Sequence, residues 1–307
     1  MKNLTLRQLR VFVALAEGTS FSSAATRLNI SQPAVSMLVR QLEADAGLPL
    51  LLRQRQRMEL TRAGAVLLQH ARGILEQVRV AEEALVGLAT GTVGHLRLGV
   101  VPTANYFAPR LLMEFQRQMP GMTFTLAVGR RDDILGMLRD HRIDVAITGH
   151  PPGEADVEVE AFARHPHCIV AAPDHPLADQ RRVTWAQLRN EPFIFREAGS
   201  ATRQFLEQLL QSQSLKVSVK FELAGNETVK QAVMSGMGIS FMSGHAIQVE
   251  VAAGRIAVLD VTGLPKWLDW CLLNRREMHI GGLPIAFREF VLREGSRIAA
   301  CVPWADG

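Results

Sequence analysis

Residues 31–42 read SQPAVSMLVRQL, and the organisation of the whole chain can be worked out from this stretch. Apolar residues recur at helical spacing and form one stripe, made of Val35, Leu38, Val39, Leu42 and Ala46. Ser31 is a good N-cap, and Pro33 falls in the first turn, where its missing N–H loses no hydrogen bond. The stretch therefore predicts a helix that packs on a core along one side.

The other side of this helix carries Gln32, Ser36 and Arg40, which recur every four residues. A glutamine can read adenine edges, an arginine can bind guanine or phosphate, and a serine suits either. An ordinary amphipathic surface helix explains the same pattern, so the neighbouring sequence has to decide between the two interpretations.

The preceding residues predict two further helices. Thr5 and Gln8 fit a capping box, and the helix that they open ends at Gly18. Residues 20–28 form a short helix rich in small side chains, and a turn of about three residues separates it from Ser31. The arrangement is that of a helix-turn-helix.

Residues 48–60 predict a short β-hairpin, a wing, with Arg53, Arg55 and Arg57 near its tip. Such arginines contact phosphate or enter a narrow minor groove, although a solvated run of charge would look alike. Residues 1–60 hold eight Lys and Arg against four Asp and Glu, which accounts for the whole formal excess of +4. A basic module on a neutral body favours nucleic acid as the partner.

These motifs together resemble those of the LysR-type transcriptional regulators. The likeness runs through residues 5–12, 22–25, 31–36 and 60–64, and it covers the N-terminal module, residues 1–60. It implies a winged helix-turn-helix whose third helix enters the major groove of double-stranded promoter DNA. The residues implied in DNA binding are Ser22, Ser31, Gln32, Pro33, Ser36, Arg40, Arg53, Arg55 and Arg57.

Residues 61–90 predict a long linker helix capped by Thr61. Apolar residues spaced alternately four and three apart follow a coiled-coil period, namely Leu67, Ala71, Ile74, Val78, Ala81, Leu85 and Leu88. The helix therefore predicts a homodimer, and we expect two such dimers to form a homotetramer. The alternative is a helix that packs on its own domain.

Residues 91–307 alternate between strand and helix. A β-α-β-α-β order over residues 96–148 implies a parallel sheet, and a second strand–helix set follows from residue 168. The prediction is thus an α/β multidomain chain that ends in a bilobed domain. The LysR resemblance implies a periplasmic-binding-protein-like effector domain, with lobe 1 at about 92–163 and 267–307 and lobe 2 at about 164–266.

Loops between strands and helices form the candidate effector site, because hydroxyls, amides and helix N-termini together bind anions. Arg196 or Arg203 could add a bidentate contact to a carboxylate or phosphate, whereas simple N-capping would explain the hydroxyls equally well. The site residues are Pro102, Thr103, Ala104, Asn105, Thr148, Gly149, Arg196, Gly199, Ser200, Ala201, Thr202, Arg203, Asn226, Glu227 and Thr228.

Residues 196–203, 226–239 and 254–265 resemble a narrower group, the regulators of carbon-fixation (RuBisCO) operons. This likeness implies a small anionic effector, such as a phosphorylated sugar or a related metabolite. RNA polymerase is a further candidate partner of such a regulator.

Other classes of protein find less support. Three distant cysteines, the lack of a membrane-spanning apolar run and an N-terminus without a signal peptide favour the cytoplasm. No nucleophile–base motif suggests a catalytic site, and we expect no metal and no cofactor. His165 and His167, with Cys168, lack the spacing of a zinc site, so we interpret them as strand residues. A solute-binding protein is the main alternative, and an α/β enzyme is the third.

Overall fold

The computed structural model describes residues 4–18, 20–54, 57–90, 94–149, 157–276 and 282–301. The chain divides into two compact units, Met1–Thr92 and Val93–Gly307. No helix among these described segments is both long and apolar enough to cross a membrane.

The first unit opens with three helices, α1 (Leu6–Gly18), α2 (Phe21–Leu28) and α3 (Gln32–Ala46). The capping box is formed: the Thr5 N–H donates to Gln8 Oε1 at 2.8 Å, and the Gln8 N–H donates to Thr5 Oγ1 at 3.2 Å. Ser31 Oγ accepts from the Ala34 N–H at 3.4 Å and begins α3. Local sequence signals therefore set the helix boundaries here.

A wing and a long helix complete this unit. Strands β1 (Leu51–Gln54) and β2 (Arg57–Leu60) are antiparallel, and α4 (Arg62–Thr90) follows. The helix α4 differs from the predicted seam in its first half, because Ala71 is wholly buried within its own unit. Further along, Ile74 is 41% exposed and Leu85 is 67% exposed. The side chain of Leu88 lies outside the described residues.

The second unit is built on a seven-stranded sheet. Its strands are β3 (Gly94–Val100), β4 (Met122–Val128), β5 (Val145–Thr148), β6 (Val157–Ala171), β9 (Ser240–Ser243), β10 (Ala257–Val258) and β11 (Lys266–Arg275). They lie in the order β10-β6-β11-β5-β3-β4, with β9 paired to β6. A two-stranded parallel sheet, β7 (Phe193–Arg196) with β8 (Val219–Leu223), lies in lobe 2.

This sheet is mixed. The parallel sheet predicted over residues 96–148 is confirmed, because β3 pairs parallel with both β4 and β5. Strand β11 runs antiparallel to both β5 and β6. Strands β6 and β11 are long, at 15 and 10 residues, and they cross between the lobes. The antiparallel pairing of β6 and β11 was not predicted, because apolar periodicity shows which face of a strand is buried and not which way its neighbour runs.

Helices cover the two lobes. Lobe 1 carries α5 (Ala108–Gln118), α6 (Arg131–Arg139) and α10 (Leu283–Ile298), while lobe 2 carries α7 (Ala201–Ser212), α8 (Asn226–Met234) and α9 (Gly244–Ala252). Separate apolar clusters form beneath them, with Trp270 and Phe287 in lobe 1 and Phe193 and Phe241 in lobe 2. Each lobe therefore has a core of its own, and the shared strands join the two.

Candidate functional site

The helix α3 separates its two faces as the sequence predicts. Val35 and Leu42 are fully buried, while Gln32 and Arg40 are exposed and Ser36 is half-buried. Within the described part of the chain, none of these three polar side chains is engaged in a hydrogen bond or ion pair, so they are available to an external partner.

Three more of the residues implied in DNA binding lie in α2 or at the start of α3. Ser22 and Pro33 are exposed, and Ser31 caps the helix. Arg55 lies outside the described residues, as do the side chains of Arg53 and Arg57, so their role stays a prediction.

A cavity of about 270 Å³ lies between the two lobes of the second unit. It lies beyond the carboxyl ends of β3, β5 and β7, where α/β sheets commonly bind ligands. Eight of the predicted residues line it, namely Pro102, Thr103, Gly149, Arg196, Gly199, Ser200, Ala201 and Thr202. The strand-to-helix loops therefore do converge, although not all of them reach the cavity.

Seven predicted residues lie off the cavity wall, and several of them bind other side chains of the protein instead. The Arg203 guanidinium binds Glu207 and Glu222, at 2.8 and 2.7 Å. Glu227 accepts from Tyr106 Oη at 2.7 Å, and Asn226 accepts from Arg196 Nη1. The others are Ala104 and Thr148, which are fully buried, and Asn105 and Thr228, which are exposed. A position near a helix start therefore did not show which polar side chains face the cavity.

The N-terminus of α7 forms the lobe 2 wall of the cavity. Ser200 and Thr202 are each 8% exposed, both line the cavity, and neither hydroxyl has a hydrogen-bond partner in the described structure. The first N–H groups of a helix have no partner within it, so they join these hydroxyls as donors. Gly199 has a φ of +83°, and a Cβ there would lie 2.2 Å from Arg130 Nη2.

Arg196 and Glu197 neutralise each other at the edge of this wall. The Arg196 guanidinium donates to both Glu197 carboxylate oxygens, at 2.7 and 2.8 Å. These hydrogen bonds outweigh the opposing effect of burial and lower the pKa of Glu197 to about 2. Arg196 therefore forms part of the cavity wall, but its charge is largely balanced by that of Glu197.

Two arginines of lobe 1 lie on the cavity wall and were missed in the sequence. Arg130 Nη2 donates to the Ala198 carbonyl across the cleft at 2.6 Å. Arg131 begins α6, and its buried Nε has no hydrogen-bond partner. Their signal was available, because residues 129–131 form another junction between a strand, β4, and a helix, α6.

His165 and His167 also line the cavity, each only 2% exposed. Burial lowers the pKa of His167 to about 3 and holds that of His165 well below its usual range. Both rings are therefore neutral at pH 7. His165 stacks on Trp270 with the ring centres 3.9 Å apart. Across the residues that the structure describes, no three metal-ligating side chains come close enough to hold an ion.

Comparison with known proteins identifies both units. Residues 6–65 match the model of the bacterial regulatory helix-turn-helix protein, lysR family, and residues 89–296 match the LysR substrate binding domain. A RuBisCO operon transcriptional regulator of Allochromatium vinosum is 42% identical over 96% of this chain and 98% of its own length.

Two solved structures share the fold. The regulatory domain of CcmR from Synechocystis PCC6803, in complex with 2-PG, is 34% identical, with a TM-score of 0.62 over 65% of this chain and 96% of its own. Full-length CbnR, complexed with its target DNA, is 26% identical, with a TM-score of 0.64. The match covers 94% of this chain and 99% of the CbnR chain. The chain belongs to the LysR family of DNA-binding transcriptional regulators, and the family is not one of enzymes.

Proposed function

We propose that this protein regulates carbon-fixation genes and that a small phosphorylated metabolite modulates its binding to promoter DNA. The relatives that are named as RuBisCO operon regulators match nearly the whole chain. A regulator of promoters acts where the DNA lies, so we place it in the cytoplasm. We also propose RNA polymerase as a partner, because a regulator bound at a promoter acts on transcription by that enzyme.

The charge of the cavity carries the proposal of an anionic effector. Its wall holds three arginines and a single carboxylate, that of Glu197, which is already engaged by Arg196. Because His165 and His167 are neutral, the formal excess of about two positive charges belongs to Arg130 and Arg131. A cavity with this charge and free hydroxyl donors suits a phosphate or a carboxylate.

The donors lie on both lobes, which suggests how the effector acts. Arg130, Arg131 and Thr103 belong to lobe 1, and Ser200 and Thr202 belong to lobe 2. An anion that contacts both walls binds one lobe arrangement better than another, and so it shifts the population toward that arrangement. The change in lobe arrangement would alter how the subunits of the oligomer are arranged, and so change how the protein binds and bends DNA.

We further propose a homodimer through α4 and a homotetramer of two such dimers. Two apolar residues of the predicted seam, Ile74 and Leu85, are exposed on α4 and belong to the surface that would pair. The buried Ala71 limits this seam to the later turns of the helix.

The test uses the full chain with 2-phosphoglycolate and with glycolate, which lacks the phosphate. We expect the phosphorylated compound to raise the melting temperature and to alter the DNase I footprint, and glycolate to do neither. Arg131→Gln removes a charge-assisted contact worth ~1.5–3 kcal/mol, so it should weaken effector binding about ten- to a hundredfold.

Arg117→Gln is the matched control, because Arg117 lies on the surface of α5 with its side chain 70% exposed. It should bind the effector as the wild type does. An unchanged footprint with every phosphorylated compound tested, or unimpaired binding by Arg131→Gln, would contradict the proposal.

A further inference from the structure

One apolar side chain of α3 points away from the core. Met37 is 54% exposed, whereas Val35 and Leu42 of the same helix are fully buried and Val39 is 3% exposed. The stripe that packs on α1 and α2 therefore excludes Met37.

Met37 lies at the edge of the polar face of α3, on the side of Pro33 and Arg40. A helix turns by about 100° per residue, so Met37 lies ~40° from Pro33 and ~60° from Arg40 around the axis. Pro33 and Arg40 are both exposed. An exposed apolar side chain thus flanks the residues that would meet the edges of the bases.

Single exposed apolar residues are common on protein surfaces and need no explanation by themselves. The surroundings of Met37 differ, because a helix in the major groove loses water over this face. The apolar group that a base pair offers there is the C5-methyl of thymine. Methionine suits such a contact, since its side chain is unbranched, flexible and polarisable.

We propose that Met37 packs against the C5-methyl group of a thymine and gives the protein a preference for thymine at one position of each half-site. This inference rests on the DNA-binding role of α3. Met37 would thus supply a sequence preference through apolar contact, in addition to the hydrogen bonds expected from Gln32, Ser36 and Arg40.

The experiment replaces thymine by deoxyuridine, which pairs identically and lacks only the methyl group. Selection from random DNA with the full chain first yields a preferred site. Each thymine of that site is then replaced singly, and affinity is measured for the wild type, Met37→Ala and Met37→Leu. Because Met37 is more than half exposed and alanine favours helices, Met37→Ala should unfold at the wild-type temperature.

We expect one thymine at which the replacement weakens wild-type binding about fourfold, the effect of one buried methyl group at ~0.8 kcal/mol. Met37→Leu keeps an apolar contact and should retain most of this sensitivity, whereas Met37→Ala should lose it.

Equal effects of deoxyuridine on the wild type and on Met37→Ala at every thymine would overturn the inference. A loss of affinity in Met37→Ala that is the same with and without the methyl group would also overturn it. If the wild type selects no sequence at all, base reading by α3 itself fails, and the proposed function fails with it.

Discussion

Gly64 provides the sharpest test of how the wing is held against α4. A Cβ at this position would lie 2.1 Å from the Leu50 carbonyl oxygen and 3.1 Å from its carbon. Contacts below about 3 Å do not occur for real Cβ atoms, and the neighbour here is backbone, which cannot rotate away. Gly64→Ala therefore forces α4 and the wing apart by ~1 Å.

The loss of stability can be worked out from the hydrogen bonds that this separation breaks. The Thr61 N–H donates to the Leu50 carbonyl at 3.0 Å, and Thr61 Oγ1 donates to the Pro49 carbonyl at 2.7 Å. Each bond contributes about 1 kcal/mol, and the overpacking adds ~1–3 kcal/mol. Alanine recovers about 1 kcal/mol as the better helix former. The net expectation is a loss of ~2–4 kcal/mol from the first unit.

Gly136→Ala is the matched control. Gly136 also lies within a helix, α6, but a Cβ there would meet nothing within 4 Å. The same substitution should therefore stabilise the second unit by about 0.5–1 kcal/mol.

Urea unfolding of the full chain separates the two effects. All four tryptophans follow residue 184, so fluorescence reports on the second unit and far-UV circular dichroism on both. Gly64→Ala should move the unfolding of the first unit, followed by dichroism, to lower urea concentration. It should also weaken DNA binding and leave the fluorescence transition unchanged. Gly136→Ala should move the fluorescence midpoint upward. A Gly64→Ala protein as stable as the wild type would refute the argument.

Three further predictions concern DNA reading and acid stability. Gln32→Ala should lose sequence discrimination by ~1–3 kcal/mol, and equal losses on specific and random DNA would contradict this. Arg55→Ala should weaken binding to all sequences and flatten the salt dependence of affinity, as measured between low and physiological salt. Burial lowers the pKa of His245 to about 4 and that of His167 to about 3, so protons favour the unfolded state. Stability of the second unit should fall as the pH drops from 6.5 toward 4, and His167→Phe should reduce that fall in urea titrations.

The N-terminal module was predictable because its signals are local. Thr5 pairs with Gln8, and Ser31 caps the helix that it precedes. The apolar stripe of α3 identified its buried face, since a helix places residues three and four apart on one side. The narrower likeness to RuBisCO operon regulators was also inferred from short motifs, and relatives of this chain carry that name.

Part of the cavity wall was predictable for the same reason. Ser200 and Thr202 begin α7, and a helix start orients its own hydroxyls and N–H groups. The same signal misplaced Glu227, whose carboxylate binds Tyr106 instead, because helix capping shows where a residue lies along the chain and not which cavity it faces.

Only the tertiary structure decided the rest. Arg131 and His165 reach one cavity because β4 and β6 belong to one sheet, although neither strand carries a local sign of that pairing. The neutrality of His165 results from burial by residues distant in sequence, among them Trp270. Local sequence thus determined helices, their caps and the exposed polar face of α3. The charge and shape of the cavity arise from long-range packing, which depends on strand direction and pairing that no short stretch encodes.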